Sequence, residues 1–406
     1  MSLAALAGIW SFTATGARNT AIDEIEKACE LTGGAACGSI DGKGHADIKS
    51  ILKFYEKGCR LDDADSCYKL GEVYENGTGQ PKDLEKAVEF YNKACKLKDD
   101  RSCLVVGMLY ENGKGVAQDV PKALKYYEQS CNYKNPKACK LAGLMYEEGT
   151  VVLRNRKKSY EFYQKACELK DSTVCYFLGI LHEEGDVVKQ NYQQALAYYE
   201  KSCLLNNTKA CKRLGVIYDE GIGGIRPDSK KAAQYYEKTC DLKDPSGCFF
   251  LGMLYQAGST DIPQDYAKAE QFYTKSCDLN HVDGCYILGD IYYNGMGVTL
   301  DRARAAEYYE KACWLQDGHA CLALGRLYAY GVGIQRDFQK AAMYYSRACQ
   351  DDLVDACFNL GTILESGKGN VEKDTATAKA AFNRACTLGN KFSCEKIRQD
   401  SAPDKP

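Results

Sequence analysis

Tryptophan and histidine are scarce in this chain, 2 and 4 of 406 residues. The four histidines, His45, His182, His281 and His319, are scattered, and no C-x2-C or H-x3-H spacing occurs, so neither a structural nor a hydrolytic zinc site has a ligand set. No metal and no cofactor is expected. An excess of positive charge is also missing: 53 basic residues face 55 acidic ones, for a formal net charge of -2. Such a balance cannot neutralise a run of phosphates, and no nucleic acid is expected as a partner. Beyond the N-terminus there is no run of about eighteen apolar residues, so no transmembrane span is expected.

What the chain has in quantity is cysteine and tyrosine, 22 and 30 residues. The cysteines form eleven C-x7-C pairs with none left over: Cys29 with Cys37, Cys59 with Cys67, Cys95 with Cys103, Cys131 with Cys139, Cys167 with Cys175, Cys203 with Cys211, Cys240 with Cys248, Cys277 with Cys285, Cys313 with Cys321, Cys349 with Cys357 and Cys386 with Cys394. From the second pair onward the equivalent cysteines recur every 36 or 37 residues. A fixed period of that size is the mark of stacked helical repeats.

Alignment on the period brings out the unit. Gly71, Gly107, Gly143, Gly179, Gly215, Gly252, Gly289, Gly325 and Gly361 each follow an apolar residue, and a Tyr stands three residues later in seven of the nine. The spacing C-x2-L-G-x2-Y places Cys67, Leu70 and Tyr74 on one side of a helix, helix A. A glycine inside a helix costs about 1 kcal/mol relative to alanine, so its recurrence implies close approach of another backbone. Gly77, Gly113 and Gly149, three residues beyond the Tyr slot, suit a left-handed helix stop. Asp83, Asp119, Asn155, Asn191, Asp228, Asp265, Asp301, Asp337 and Asp374 then supply N-caps for helix B, which ends at the next cysteine.

Residues eight apart in one unbroken helix are about 12 Å apart, beyond disulfide reach. The segments between paired cysteines, such as Lys134-Asn135-Pro136, are turns. Each pair is therefore expected to clamp the end of helix B to the start of the next helix A. The alternative is that cysteine serves here as a small buried hydrophobe in a reduced, cytoplasmic scaffold or assembly factor. Strict pairing favours oxidation and a secreted or periplasmic location.

The unit Leu288-Gly289, Tyr292, Gly295-Met296-Gly297-Val298, Arg304-Ala305, Tyr308-Tyr309-Glu310-Lys311-Ala312-Cys313 resembles the Sel-one-like repeat, a relative of the tetratricopeptide repeat. With the cysteine pairs added, the chain resembles the Helicobacter cysteine-rich protein family. The fold this implies is all-α, a right-handed α-solenoid of stacked antiparallel helix pairs with about nine full repeats and a degenerate N-terminal unit. The expected organisation is a degenerate signal-like or disordered segment over 1–20, one solenoid over 21–396 and a polar tail over 397–406. Residues 1–17 are small and apolar and end in Thr15-Gly16-Ala17, which resembles a signal-peptidase site, although no Lys or Arg precedes the apolar stretch.

In solenoids of this kind helix A lines the concave face, and the resemblance assigns to it the slots just after the Cys, just after the Gly, and one and two after the Tyr. The slot after the Cys includes Tyr68, Tyr176, Phe249 and Tyr286; the slot after the Tyr includes Glu75, Glu111, Glu147, Glu183, Asp219 and Tyr293. A carboxylate in the last turn of a helix opposes the dipole at a cost of about 0.3–1 kcal/mol, so a recurring one needs a cause. One reading is a groove for an extended peptide or a cationic ligand. The other is pairing with helix B cations such as Lys86 or Lys122. His182, on the Tyr stripe, reads as a packed core residue.

The cysteine-rich family implies β-lactam binding with slow hydrolysis, or contact with a cell-wall peptide. A serine mechanism needs Ser-x-x-Lys with S-D-N and K-T-G partners. Ser50 to Lys53, Ser66 to Lys69 and Ser393 to Lys396 match the first element, and neither partner motif occurs. The leading expectation is thus an exported, disulfide-rich scaffold, monomeric, holding a protein or peptide ligand on its concave face, with β-lactamase activity as the alternative that the family implies.

Overall fold

A computed structural model describes residues 48–149, 153–369 and 371–400. The signal-like segment, the first cysteine pair, Cys29 with Cys37, and residues 401–406 lie outside the described residues. The chain divides into two compact units, Met1–Asn207 and Thr208–Pro406. Among the described residues there are twenty α-helices and no strand.

The first unit holds α1 (Ile48–Arg60), α2 (Ala64–Asn76), α3 (Leu84–Lys96), α4 (Asp100–Asn112), α5 (Val120–Asn132), α6 (Pro136–Glu148), α7 (Arg156–Glu168), α8 (Ser172–Glu184) and α9 (Tyr192–Leu204). In the second are α10 (Thr208–Glu220), α11 (Ser229–Asp241), α12 (Pro245–Ala257), α13 (Tyr266–Asp278), α14 (Val282–Asn294), α15 (Arg302–Trp314), α16 (Gly318–Tyr330), α17 (Phe338–Gln350), α18 (Val354–Ser366), α19 (Thr375–Thr387) and α20 (Lys391–Asp400). Even-numbered helices are helix A and odd-numbered ones helix B. Within each unit a helix packs chiefly on its two neighbours in sequence, giving stacked antiparallel pairs. Helix α20 runs through Asp400, past residue 397.

The chain ends its helices where the sequence asks. Asp83 accepts from the Lys86 backbone N–H at 3.0 Å, and the Asp or Asn of every later repeat caps its own helix B in the same way. Gly77, with φ of 74°, closes α2 in the left-handed conformation. The turn from B to the next A also contains a residue of positive φ, in most repeats not glycine: Lys98, Lys134 and Lys170 in the first unit, Lys243 and Asn280 in the second, with Gly389 in the last turn.

The disulfide clamps bind these turns. In the first unit Cys59 is bonded to Cys67, Cys95 to Cys103, Cys131 to Cys139 and Cys167 to Cys175. In the second, Cys240 is bonded to Cys248, Cys277 to Cys285, Cys313 to Cys321, Cys349 to Cys357 and Cys386 to Cys394. Cys203 and Cys211 are each disulfide-bonded as well, and no described cysteine is free. The Cα separations in the nine pairs within the units are 4.6–4.8 Å. The turn brings the two Cα atoms within the range that a disulfide spans.

The helix A glycine has a different cause from the one expected. A Cβ on Gly71 would lie 2.5 Å from ring atoms of Tyr91, and the same ring slot, Tyr127 through Phe382, meets each of the other eight glycines. An aromatic ring from helix B, not a backbone, occupies the space. Tyr91, Tyr127, Tyr163, Tyr199, Tyr236, Tyr273, Tyr309 and Tyr345 are all at most 3% exposed. The helix A tyrosines instead stack on the preceding aromatic of helix B: Tyr74 on Phe90, Tyr110 on Tyr126, Tyr292 on Tyr308, with ring planes 5–14° apart. A cation covers many of these stacks, as Lys122 does at 4.1 Å from the Tyr110 ring centre. Such a contact at an exposed site contributes about 0.5–1 kcal/mol.

Candidate partner-binding face

Each expected site residue lies on helix A, part-buried. Positions 68, 72 and 75 are four and three residues apart, so they share one side of α2, and the same holds for each later helix A. In the first unit this side carries Tyr68, Glu72 and Glu75 on α2, Leu104, Met108 and Glu111 on α4, Lys140, Leu144 and Glu147 on α6, and Tyr176, Ile180 and Glu183 on α8. Leu104, Met108, Leu144 and Ile180 therefore make an apolar strip over α4, α6 and α8, with Lys140 within it and Glu72 at its α2 end, beside a row of four glutamates. Met108 is 38% exposed, open enough to be contacted.

The glutamates are anchored, and not by lysine. Glu75 accepts a hydrogen bond from the hydroxyl of Tyr91 at 2.7 Å, Glu111 from Tyr127 at 2.6 Å, Glu147 from Tyr163 at 2.5 Å and Glu183 from Tyr199 at 2.5 Å. Lys86 and Lys122, the cations expected as partners, sit over the rings of Tyr74 and Tyr110 instead. Burial and the adjacent carboxylate push the hydroxyl pKa of Tyr91 and Tyr127 far up, so the phenols remain donors. A hydrogen bond to a charged acceptor contributes about 1.5–3 kcal/mol, which exceeds the dipole cost of the acid. The carboxylate thus satisfies a buried phenol.

The second unit varies the same pair. Gln256 accepts from Tyr273 at 2.6 Å, and Asp219 lies 3.5 Å from the Tyr236 hydroxyl, its pKa raised by burial. Tyr293 occupies the acid slot opposite Tyr309, and Asp290, one turn earlier, accepts at 2.6 Å in its place. Opposite Phe382, which has no hydroxyl, Glu365 pairs with Lys396 at 2.7 Å. The acidic row is therefore unbroken only in the first unit, with Asp219 belonging to the second.

The aromatic candidates rest on the buried rings. Tyr68 packs 5.5 Å from Tyr91 and Tyr176 5.6 Å from Tyr199, centre to centre. Arg101 lies 4.5 Å from the Tyr68 ring centre, and burial with Glu72 nearby pushes the Tyr68 hydroxyl up to about 12. Phe249 lies between Tyr273 and His281, at 5.8 and 4.8 Å; Tyr286 packs on Tyr309 at 5.8 Å, and Arg302 covers Tyr293 at 5.4 Å. Each of these candidates is part-buried on its own helix A.

His182 is a core residue, 8% exposed, stacked on Tyr198 and within 2.8 Å of the Tyr160 hydroxyl through Nε2. Its Nδ1 is buried without a hydrogen-bond partner, and Gln194 stands where most other repeats place the covering cation. Burial lowers its pKa below the usual 6.5. The unfolded chain then binds more protons just below that pH, so stability is present above about pH 6.5 and falls as pH drops through the folded pKa. His182→Tyr is expected to lose less melting temperature than the parent between about pH 7 and about pH 5.5. His281, also depressed by burial, is common to both proteins, so an equal loss in both would remove His182 as a contributor.

Two of the three serine motifs, at Ser66 and Ser393, do not assemble, and the Ser50 side chain lies outside the described residues. Ser66 is fully buried and its hydroxyl donates to Asp63 at 2.5 Å, while Lys69 pairs with Glu72 at 2.8 Å. Ser393 is also fully buried. Neither hydroxyl is open to a substrate carbonyl.

A solved Sel1 repeat protein from Oxalobacter formigenes is 21% identical, matches 81% of this chain and 92% of its own, and superposes with a TM-score of 0.60. Helicobacter pylori cysteine rich protein B is 35% identical over 30% of this chain and 93% of its own, with a TM-score of 0.28. A protective antigen of uropathogenic Escherichia coli with an SLR fold is 24% identical over 93% of this chain and 90% of its own, at a TM-score of 0.42. No curated protein matches the chain. The family profile described as Sel1 repeat matches residues 64–99, 101–132, 136–171, 172–207, 208–244, 245–281, 282–315, 318–353 and 354–390. Nine consecutive matches over most of the chain carry the period first read from the cysteines, and the chain belongs to the Sel1 repeat family.

Proposed function

We propose that this disulfide-rich scaffold is exported and holds an extended, cationic segment of a partner protein on the helix A side of its first unit. The observation that carries the reading is the anchored glutamate row beside an apolar strip. In Glu75, Glu111, Glu147 and Glu183 the tyrosine hydroxyl donates to Oε2, which fixes the carboxylate beside the strip. Fixed carboxylates bind a Lys or Arg with less loss of side-chain freedom than mobile ones. The apolar strip of Leu104, Met108, Leu144 and Ile180 supplies contact area between the charges. Oxidised clamps throughout the described chain support an oxidising compartment outside the cytosol.

The test uses the chain's own variation. Gln256 shows that glutamine accepts the buried phenol, so Glu111→Gln with Glu147→Gln and Glu183→Gln removes three charges and keeps three hydrogen bonds. Peptides selected on the native protein from a random display library are expected to be enriched in Lys and Arg among apolar residues. Their affinity for the triple variant should fall about tenfold or more, with the unfolding midpoint nearly unchanged. Equal affinity for both proteins would remove the glutamate row from the reading.

A further inference from the structure

The clamps are not equally accessible. Every described cysteine from Cys59 to Cys357 is at most 6% exposed, whereas Cys386 and Cys394 are both part-exposed. Helix α20, which carries Cys394, also leaves Phe392 74% exposed, so the side of this clamp away from α19 is open. Chemistry alone does not separate the pairs: the second cysteine of each sits in the first turn or so of a helix A, where the N-terminal N–H groups stabilise a departing thiolate. Exchange rate then depends on whether an attacking thiolate reaches a sulfur.

We propose that Cys386–Cys394 is a thiol-exchange site, opened by a low-molecular-weight thiol while the buried clamps stay closed. A thiolate attacks Sγ of Cys386, a mixed disulfide forms, the Cys386–Cys394 bond breaks, and Cys394 leaves as a thiolate that takes a proton from solvent. A second thiolate then attacks the small-thiol sulfur of the mixed disulfide. It releases the oxidised small-thiol dimer and leaves Cys386 reduced, so two thiols have supplied the two electrons. Once opened, α20 is retained by packing on α19 and by the Lys396–Glu365 pair to α18, and the C-terminal end of the second unit becomes the part of the molecule that responds to external thiol.

The native protein, incubated with reduced glutathione, quenched in acid, alkylated and mapped by peptide mass spectrometry, tests this. Among the pairs from Cys59 onward, Cys386 and Cys394 should be labelled about tenfold faster than any other. A different one of these pairs opening first, or all of them opening together, would overturn the assignment. In Cys386→Ala with Cys394→Ala the fast glutathione-reactive phase mapped to these pairs should vanish and the slow reaction of the buried ones remain; persistence of that fast phase among them would equally overturn it.

Discussion

Cys131→Ala together with Cys139→Ala is expected to lower the stability of the protein by about 2.5 kcal/mol, the closure entropy of a nine-residue loop. Both sulfurs are buried, at 4% and 0% exposure, so the alanines also leave unfilled volume and the measured loss should reach or exceed that figure. The loop between them has native supports of its own: Asn135 caps α6 through the Ala138 N–H at 3.1 Å, and Lys134 holds a left-handed φ of 73°. That left-handed residue is a cost that the clamp helps to hold in place. Urea unfolding under non-reducing conditions measures the difference. A variant within about 0.5 kcal/mol of the parent would mean that cap and packing hold the turn without the bridge. Complete reduction should cost far more than one clamp but less than a simple sum, because neighbouring clamps restrain the same helices.

Gly179→Ala carries the second large effect. In an unobstructed helix the change would stabilise by about 1 kcal/mol. Here the added Cβ would overlap Cε1 of Tyr199, well inside van der Waals contact. That ring cannot step aside: it is fully buried, and its hydroxyl is tied to Glu183 at 2.5 Å. Overpacking of a fixed ring costs about 1–3 kcal/mol and should reverse the sign of the helix gain. Thermal unfolding of the variant is therefore expected below that of the parent, together with weaker near-ultraviolet tyrosine signals. A raised midpoint would mean that α8 and α9 can separate without penalty.

The period, both helices, the caps and the clamped turns were all legible in the sequence, because each depends on residues within a few positions of one another. Asp83 caps its own helix and Cys131 meets Cys139 across one turn. The glycine slot was recognised but its neighbour was mistaken, since nothing local says whether a ring or a backbone fills the space above Gly71. The glutamate row was read as free or paired with lysine because its partner, a neutral phenol sixteen residues on, leaves no mark in the charge pattern. Column comparison among the repeats would have exposed it. Where the acid slot holds Tyr293, an acid appears at Asp290, and where the ring slot holds Phe382, Glu365 faces Lys396. The apolar strip lies in the slot just after the glycine, which the resemblance already assigns to the concave face, but the run of Met108, Leu144 and Ile180 shows only when that column is read down the repeats.

The ninth repeat has a bearing on how such a chain can change across generations. Loss of one hydroxyl at Phe382 keeps the ring on Gly361 and so leaves the packing of α18 and α19 in place. The carboxylate set loose is taken up by Lys396 on the next helix, turning an internal hydrogen bond into an ion pair between neighbours. Shape and polarity are carried by different atoms of the same side chain. Mutation can therefore rewire the polar couplings one repeat at a time while the stacking is inherited intact, and a lineage can acquire new surface chemistry without passing through an unfolded intermediate sequence.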